Sequence, residues 1–214
     1  MYVPVTPLPA APLAPVGISS AAAPTVASPV HTELKARGYQ LNILANSRTS
    51  VTGTLLEGPH TGIPDQLVAL QALGRRGWHT LARARTGARG RFRINYAPRR
   101  LGSEWLRLRF AGNASERPSH RRLGQLNVYR LAEASWYGGG GSLACGGALT
   151  SSTMGVANKT LPCGTLVTLR YGDRMVRVPV VDRGPYVEGR EFDLTEATKD
   201  ALGFAGVGQV WSTS

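Results

Sequence analysis

Apolar and polar residues alternate strictly over Arg91–Tyr96, where Phe92, Ile94 and Tyr96 interleave with Arg91, Arg93 and Asn95. A period of two marks a strand with one face in a core and the other in water. Leu106, Leu108 and Phe110 repeat the pattern against Arg107 and Arg109. Val51–Leu55, Leu67–Leu70, Trp78–Arg85 and Leu126–Tyr129 predict further short strands, set apart by Gly, Asn, Asp or Pro. Strands of this length and spacing predict a small β-sandwich over residues 39–132. If the strands pair as the alternation implies, Arg83, Arg85, Arg91, Arg93, Arg107 and Arg109 crowd its solvent side. Such a row is either a solvated face whose arginine stems cover the sheet or an anion-binding surface. Neither a recognition helix nor exposed aromatics accompany it, so no nucleic-acid module is predicted.

The pattern changes over residues 133–214, which hold 14 of the 26 glycines. Leu166–Arg170 and Met175–Val181 are the clearest strands here, flanked by Gly164, Gly172 and Gly184. One helix is predicted over Leu194–Leu202, with Asp193 and Glu196 as a variant capping box and Gly203 as its stop. A glycine-rich β unit with one short helix fits a small closed barrel. The fold class expected is therefore all-β, a sandwich followed by a barrel. Upstream, residues 1–38 read as a Pro/Ala-rich disordered linker, because seven of the fourteen prolines fall before residue 31. These prolines also argue against a membrane-spanning helix. Met1–Pro15 has neither the basic start nor the compact apolar block of a secretory leader.

Charge follows the same division. The net charge of +12 comes from residues 31–132, with 18 basic and 5 acidic side chains, against 7 and 8 over residues 133–214. An excess of this kind predicts an anionic partner. At 18% charged and 42% hydrophobic residues the chain is not disordered throughout. Two cysteines and four histidines exclude a zinc ribbon or a dense disulfide scaffold. No histidine lies beyond His120, which removes a Ser-His-Asp triad or a Cys-His dyad from the barrel. Neither a metal nor a cofactor is predicted.

Five motifs fall in register downstream: Ala134-Ser-Trp-Tyr-Gly138, Leu161-Pro-Cys-Gly-Thr165, Val181-Asp-Arg-Gly-Pro-Tyr186, Gly189-Arg-Glu-Phe-Asp-Leu194 and Ala201-Leu-Gly203. Their order and spacing resemble the double-psi β-barrel of the rare lipoprotein A family, septal lytic transglycosylases of peptidoglycan related to expansins. The resemblance covers about residues 133–212. It implies a six-stranded double-psi barrel over 133–214, and the middle region resembles the Ig-like sandwich that precedes this barrel in some exported actinobacterial proteins. It further implies an exported protein of the cell wall or extracellular space whose partner is the peptidoglycan glycan strand. Acidic wall polymers are then the expected partners of the basic sandwich. Cys145 and Cys163, 18 positions apart, are expected to form a disulfide in an exported protein.

A hydrolysing glycosidase needs two carboxylates, whereas a lytic transglycosylase manages with one. That group protonates the glycosidic oxygen and then, as carboxylate, helps the sugar's own 6-hydroxyl close on the anomeric carbon, leaving a 1,6-anhydro end. Asp182 ends the apolar run Val178–Val181, and the resemblance makes the Asp of this Asp-Arg-Gly-Pro motif the catalytic acid. Its other reading is a residue that orders the following turn. By resemblance Asp193 lies near the groove, its alternative being the helix cap. Trp136, Tyr137 and Tyr186 are expected to stack on sugar rings unless they belong to the core. Asn158, Lys159 and Arg183 complete the expected substrate contacts. Two positions depart from the family pattern. Asn158 stands where the family has His, and Gly147-Ala-Leu149 replaces a turn that often carries an acid. An amide binds sugar but shuttles no proton. The competing reading is accordingly a non-catalytic, expansin-like module that grips or loosens wall glycan.

Overall fold

A computed structural model describes residues 28–214. The part of the expected linker over residues 1–27 lies outside the described residues. The upstream strands are β1 (Thr32–Arg37), β2 (Asn42–Leu44), β3 (Thr49–Glu57), β4 (Thr61–Gly62), β5 (Leu67–Gly74), β6 (Gly77–Arg85), β7 (Arg91–Tyr96) and β8 (Gly102–Phe110). β9 (Ser119–Tyr137) then leads into β10 (Gly141–Ser142), β11 (Ala148–Leu149), β12 (Val156–Ala157), β13 (Leu166–Tyr171) and β14 (Arg174–Asp182). The chain closes with β15 (Phe192–Thr195), α1 (Glu196–Leu202) and β16 (Gly208–Ser212).

Two sheets make the sandwich. In one, β3 runs antiparallel between β1 and β7, with β4 against its end. The other has the order β6–β5–β8–β9, all antiparallel, with β2 parallel to β9. Alternation places Val51, Leu55, Val68, Leu70, Ile94, Leu106 and Leu108 in the layer between them, each at most 1% exposed. Burying one such side chain contributes about 1.5–3 kcal/mol. Gly53 is needed in β3 because a Cβ there would lie 2.4 Å from the Lys35 carbonyl and 2.5 Å from Phe92 Cζ.

The barrel closes with six strands. Its parallel pairs are β9–β15 and β12–β14, and the ring runs β9–β15–β12–β14–β13–β16 and back to β9. Phe192, Leu194, Val156, Val167, Leu169, Val180 and Val210 fill it, and α1 contributes Leu202. The observed class is thus all-β, a sandwich joined to a six-stranded double-psi barrel with one short helix.

Several details differ from expectation. Thr32–Arg37, placed in the linker by composition, is β1, held by antiparallel pairing along β3. The boundary at residues 132 and 133 falls inside β9, whose first part pairs with β8 and whose second pairs with β15 and β16. Tyr129 crosses this junction, its hydroxyl 2.8 Å from Asn42 Oδ1 and 3.0 Å from Met175 Sδ. The arginines divide between sheets, with Arg83, Arg107 and Arg109 on one and Arg91 and Arg93 on the other. Aromatics do accompany them: Trp105 is 54% exposed, and the Arg107 guanidinium sits 3.9 Å from the Trp78 ring centroid. The helix begins two residues late. Parallel pairing with β9 keeps Phe192–Thr195 extended, so Thr195 takes the N-cap position and Asp193 stays in a strand. Gly203 ends the helix at φ 66°, in the left-handed region.

Candidate functional site

Across β14, β12, β15 and β9 the register aligns Asp182, Ala157, Asp193 and Ser135 at one level of the barrel. Two interstrand steps separate the aspartates, roughly 9–10 Å between backbones. Each carboxylate has its own support.

Asp182 Oδ1 accepts backbone N–H bonds from Arg183 and from Ala144, both at 2.8 Å. The Ala144 donor comes from a distant glycine-rich loop, and three connections keep it there. The Cys145 amide donates to the Val181 carbonyl at 3.1 Å. The disulfide between Cys145 and Cys163 ties the loop to the turn before β13. Arg183 braces that turn, donating to the carbonyls of Asn158 and Leu161 at 3.0 and 2.9 Å and to Cys163 Sγ at 3.0 Å. Arg183 is therefore turned toward protein backbone.

Asp193 Oδ1 accepts from Ser135 Oγ, which in turn accepts from Arg190 at 3.1 Å. Ser135, Arg190 and the Ala144 amide were missed by sequence reasoning. Ser135 and Arg190 do lie inside the quoted motifs, where a Ser between Ala134 and Trp136 was the available signal. The Ala144 amide leaves no mark in a side-chain pattern.

Tyr137 faces both aspartates. Its hydroxyl is buried and settles into no well-formed hydrogen bond. Burial first, then the charges of Asp182 and Asp193, raise its pKa well above the ordinary phenol range. The phenol is accordingly a neutral O–H donor throughout the physiological range.

The remaining expected residues are more scattered. The Asn158 side chain is buried, and its shortest bonds are to backbone: Oδ1 accepts from the amides of Thr160 and Leu161 at 3.0 and 2.8 Å, and Nδ2 donates to the Glu191 carbonyl at 2.9 Å. It orders the turn before β13. Lys159 is exposed and lines a hollow with Arg130, Arg190 and Glu191. Trp136 lies on the opposite face of β9 from Ser135 and Tyr137, beneath Lys199 of α1, whose Nζ is 4.4 Å from the ring centroid. Tyr186 is 82% exposed beside Gly184, a flat ring open to solvent. Among the described residues no group of three or more His, Cys, Asp or Glu is gathered to hold a metal. No helix among them is long and apolar enough to cross a membrane.

Residues 131–211 match the family model described as lytic transglycolase. The chain is similar to the probable endolytic peptidoglycan transglycosylase RlpA of Aquifex aeolicus, 42% identical over 80 residues, which covers 35% of each chain. The protein of that name from Synechocystis sp. is 40% identical over 85 residues, covering 36% of this chain and 26% of that one. The match thus spans about a third or less of these curated relatives. Among solved structures, the Streptomyces papain inhibitor aligns at 26% identity and a TM-score of 0.33, covering 39% of this chain and 91% of that one.

Proposed function

We propose that the RlpA-like double-psi β-barrel of residues 131–211 cleaves peptidoglycan glycan strands as a lytic transglycosylase, with Asp182 as its single acid and base. The observation that carries this is the setting of Asp182. Two backbone N–H groups hold Oδ1, which fixes the carboxyl group and leaves Oδ2 free to exchange a proton with substrate. That proton goes to the glycosidic oxygen as the bond to the anomeric carbon breaks. The Asp182 carboxylate then takes the proton of the 6-hydroxyl as that oxygen bonds to the anomeric carbon. No water is consumed, and the product ends in a 1,6-anhydro ring.

Neighbouring groups position the sugar. The buried Tyr137 phenol faces the two carboxylates from beneath, and the Asp193–Ser135–Arg190 chain offers a fixed acceptor to sugar hydroxyls. The exposed Tyr186 ring supplies a stacking surface, and Lys159 lies beside the strand's acidic substituents. Asn158 and Arg183 act indirectly, by holding the turn that carries Cys163. Such an activity places the protein in the cell wall or outside the cell, with the basic sandwich held by acidic wall polymers.

A second reading, glycan binding without cleavage, is favoured by Asn158, whose amide stands where the resembling family has His and is held by its own turn and the Glu191 carbonyl. Digestion of purified glycan strands, followed by mass spectrometry of the ends, separates the two. The first reading expects 1,6-anhydro ends that fall at least about a hundredfold in Asp182→Asn, the scale of a lost general acid. Strands retained by the wild-type protein but left uncut would establish the second.

A further inference from the structure

The outer face of the β6–β5–β8–β9 sheet is the most organised chemical surface away from the barrel carboxylates. Its register aligns residues in rows across the strands, and cross-strand partners share a face. Trp78, Leu73 and Trp105 form one row. The next contains Arg107 and Arg122 on either side of the β8–β9 seam, and the one beyond it Arg83 and Arg109 flanking Ala69. No carboxylate occupies any of these paired positions. Arg107 is fixed in place, stacked on Trp78 and donating from Nε to Gln71 Oε1 at 3.0 Å. Burial, and then the charges of Arg109 and Arg122, lower its pKa. Arg83, Arg109, Arg122 and Trp105 are exposed. Like charges gathered without an acid destabilise the free chain, and an anion bound across them removes that repulsion.

The pattern also describes its ligand. An apolar row about 10 Å long across two interstrand steps is bordered by cations on one side. It suits a polymer with flat ring faces along one edge and acidic groups along the other. A phosphodiester chain without rings would leave the tryptophan row unused. We propose that this face is a second polysaccharide site, which binds peptidoglycan strands bearing stem peptides, with a sugar ring on the exposed Trp105 beside the Arg107-capped Trp78 and peptide carboxylates on Arg83, Arg109 and Arg122. The choice of this strand rests on the wall-glycan reading above.

Co-sedimentation of the full chain carrying Asp182→Asn tests the site, because that variant retains the whole face. The probes are sacculi with intact stem peptides, strands stripped of their peptides, a phosphodiester wall polymer and single-stranded DNA. Intact sacculi should bind best, stripped strands about tenfold more weakly, and Trp105→Ala should also lose about tenfold, a change of about 1.4 kcal/mol. A triple Arg83→Gln, Arg109→Gln, Arg122→Gln variant should lose more and should flatten the response to salt between about 0.05 and 0.5 M. If the triple variant melts early, Trp105→Ala, a change at one exposed ring, carries the test alone. Trp105→Ala binding sacculi as tightly as its parent would overturn the proposal, as would preferred capture of the phosphodiester polymer or of DNA. Wild-type protein that binds through this face yet cuts nothing would overturn the cleavage reading and leave this one standing.

Discussion

The sandwich and the barrel are both closed layers of β-strand around an aliphatic core, yet they hold their polar groups differently. In the sandwich, long strands keep strict alternation, as in β7, where every second residue is buried. Its polar side chains stand in rows on the surface, and its charge is strongly positive. In the barrel β12 and β15 are short, the balance of charge is near zero, and buried side chains bond to backbone. Thr195 and Thr198 both reach the Gly155 carbonyl, Asn158 closes a turn, and Asp182 collects amides from two segments. Regular alternation makes a surface, and its interruption makes a site, because only irregular backbone turns free N–H groups toward one carboxylate.

The largest expected effect tests whether the two regions are separate. Phe192 is fully buried in the barrel, and Phe192→Ala should cost about 3–5 kcal/mol. Because β9 is one strand shared by both cores, the sandwich should melt with the barrel in a single transition, followed by near-UV and far-UV circular dichroism. Two transitions, with only one displaced, would restore the picture of independent domains.

Removing the disulfide should distinguish the regions more finely. Cys145→Ala with Cys163→Ala frees a loop of 18 residues, an effect of about 3 kcal/mol in the chain-entropy account. Amide exchange should accelerate over residues 143–147 and at Arg183, while β3 and β7 stay protected. Equal loosening of the sandwich would contradict the local role given to this cross-link. Asn158→Ala should cost about 1–3 kcal/mol, by leaving the Thr160 and Leu161 amides without their acceptor. The urea midpoint measures it, and an unchanged midpoint would free Asn158 for a role toward substrate.

The smallest effect is in alkali. Burial raises Tyr96 in the sandwich and Tyr129 at the junction to about 12, from an ordinary value of 10.0. A phenol raised by folding contributes its full stability below the unfolded pKa and loses it as pH climbs toward the folded one. The urea midpoint should therefore decline between about pH 10 and 12, and less so in Tyr96→Phe.

Much of the sandwich was legible because its strands obey a period of two. β1 was not, since Thr32–Arg37 carries one fully buried side chain, Leu34, among polar neighbours, and only its pairing with β3 makes it a strand. Composition pointed to a basic sheet but not to the division of its arginines between two sheets, because the order of strands decides which arginines share a side. In the barrel the motifs marked Asp182, Asp193 and Tyr137. What they could not show was the company each keeps: the Ala144 amide arrives from 38 residues away, and Asn158 and Arg183 turn to backbone. Asp193 read as a helix cap because local sequence carries no record of the parallel pairing that extends β15.

If Asp182 is the acid and base proposed, glycan cleavage consumes no water. Digestion of purified glycan strands in water enriched in oxygen-18, with mass spectrometry of the new ends, tests it most directly. New ends should carry the 1,6-anhydro ring and no label, and should disappear in Asp182→Asn. Labelled reducing ends, or unlabelled anhydro ends formed undiminished by Asp182→Asn, would contradict it.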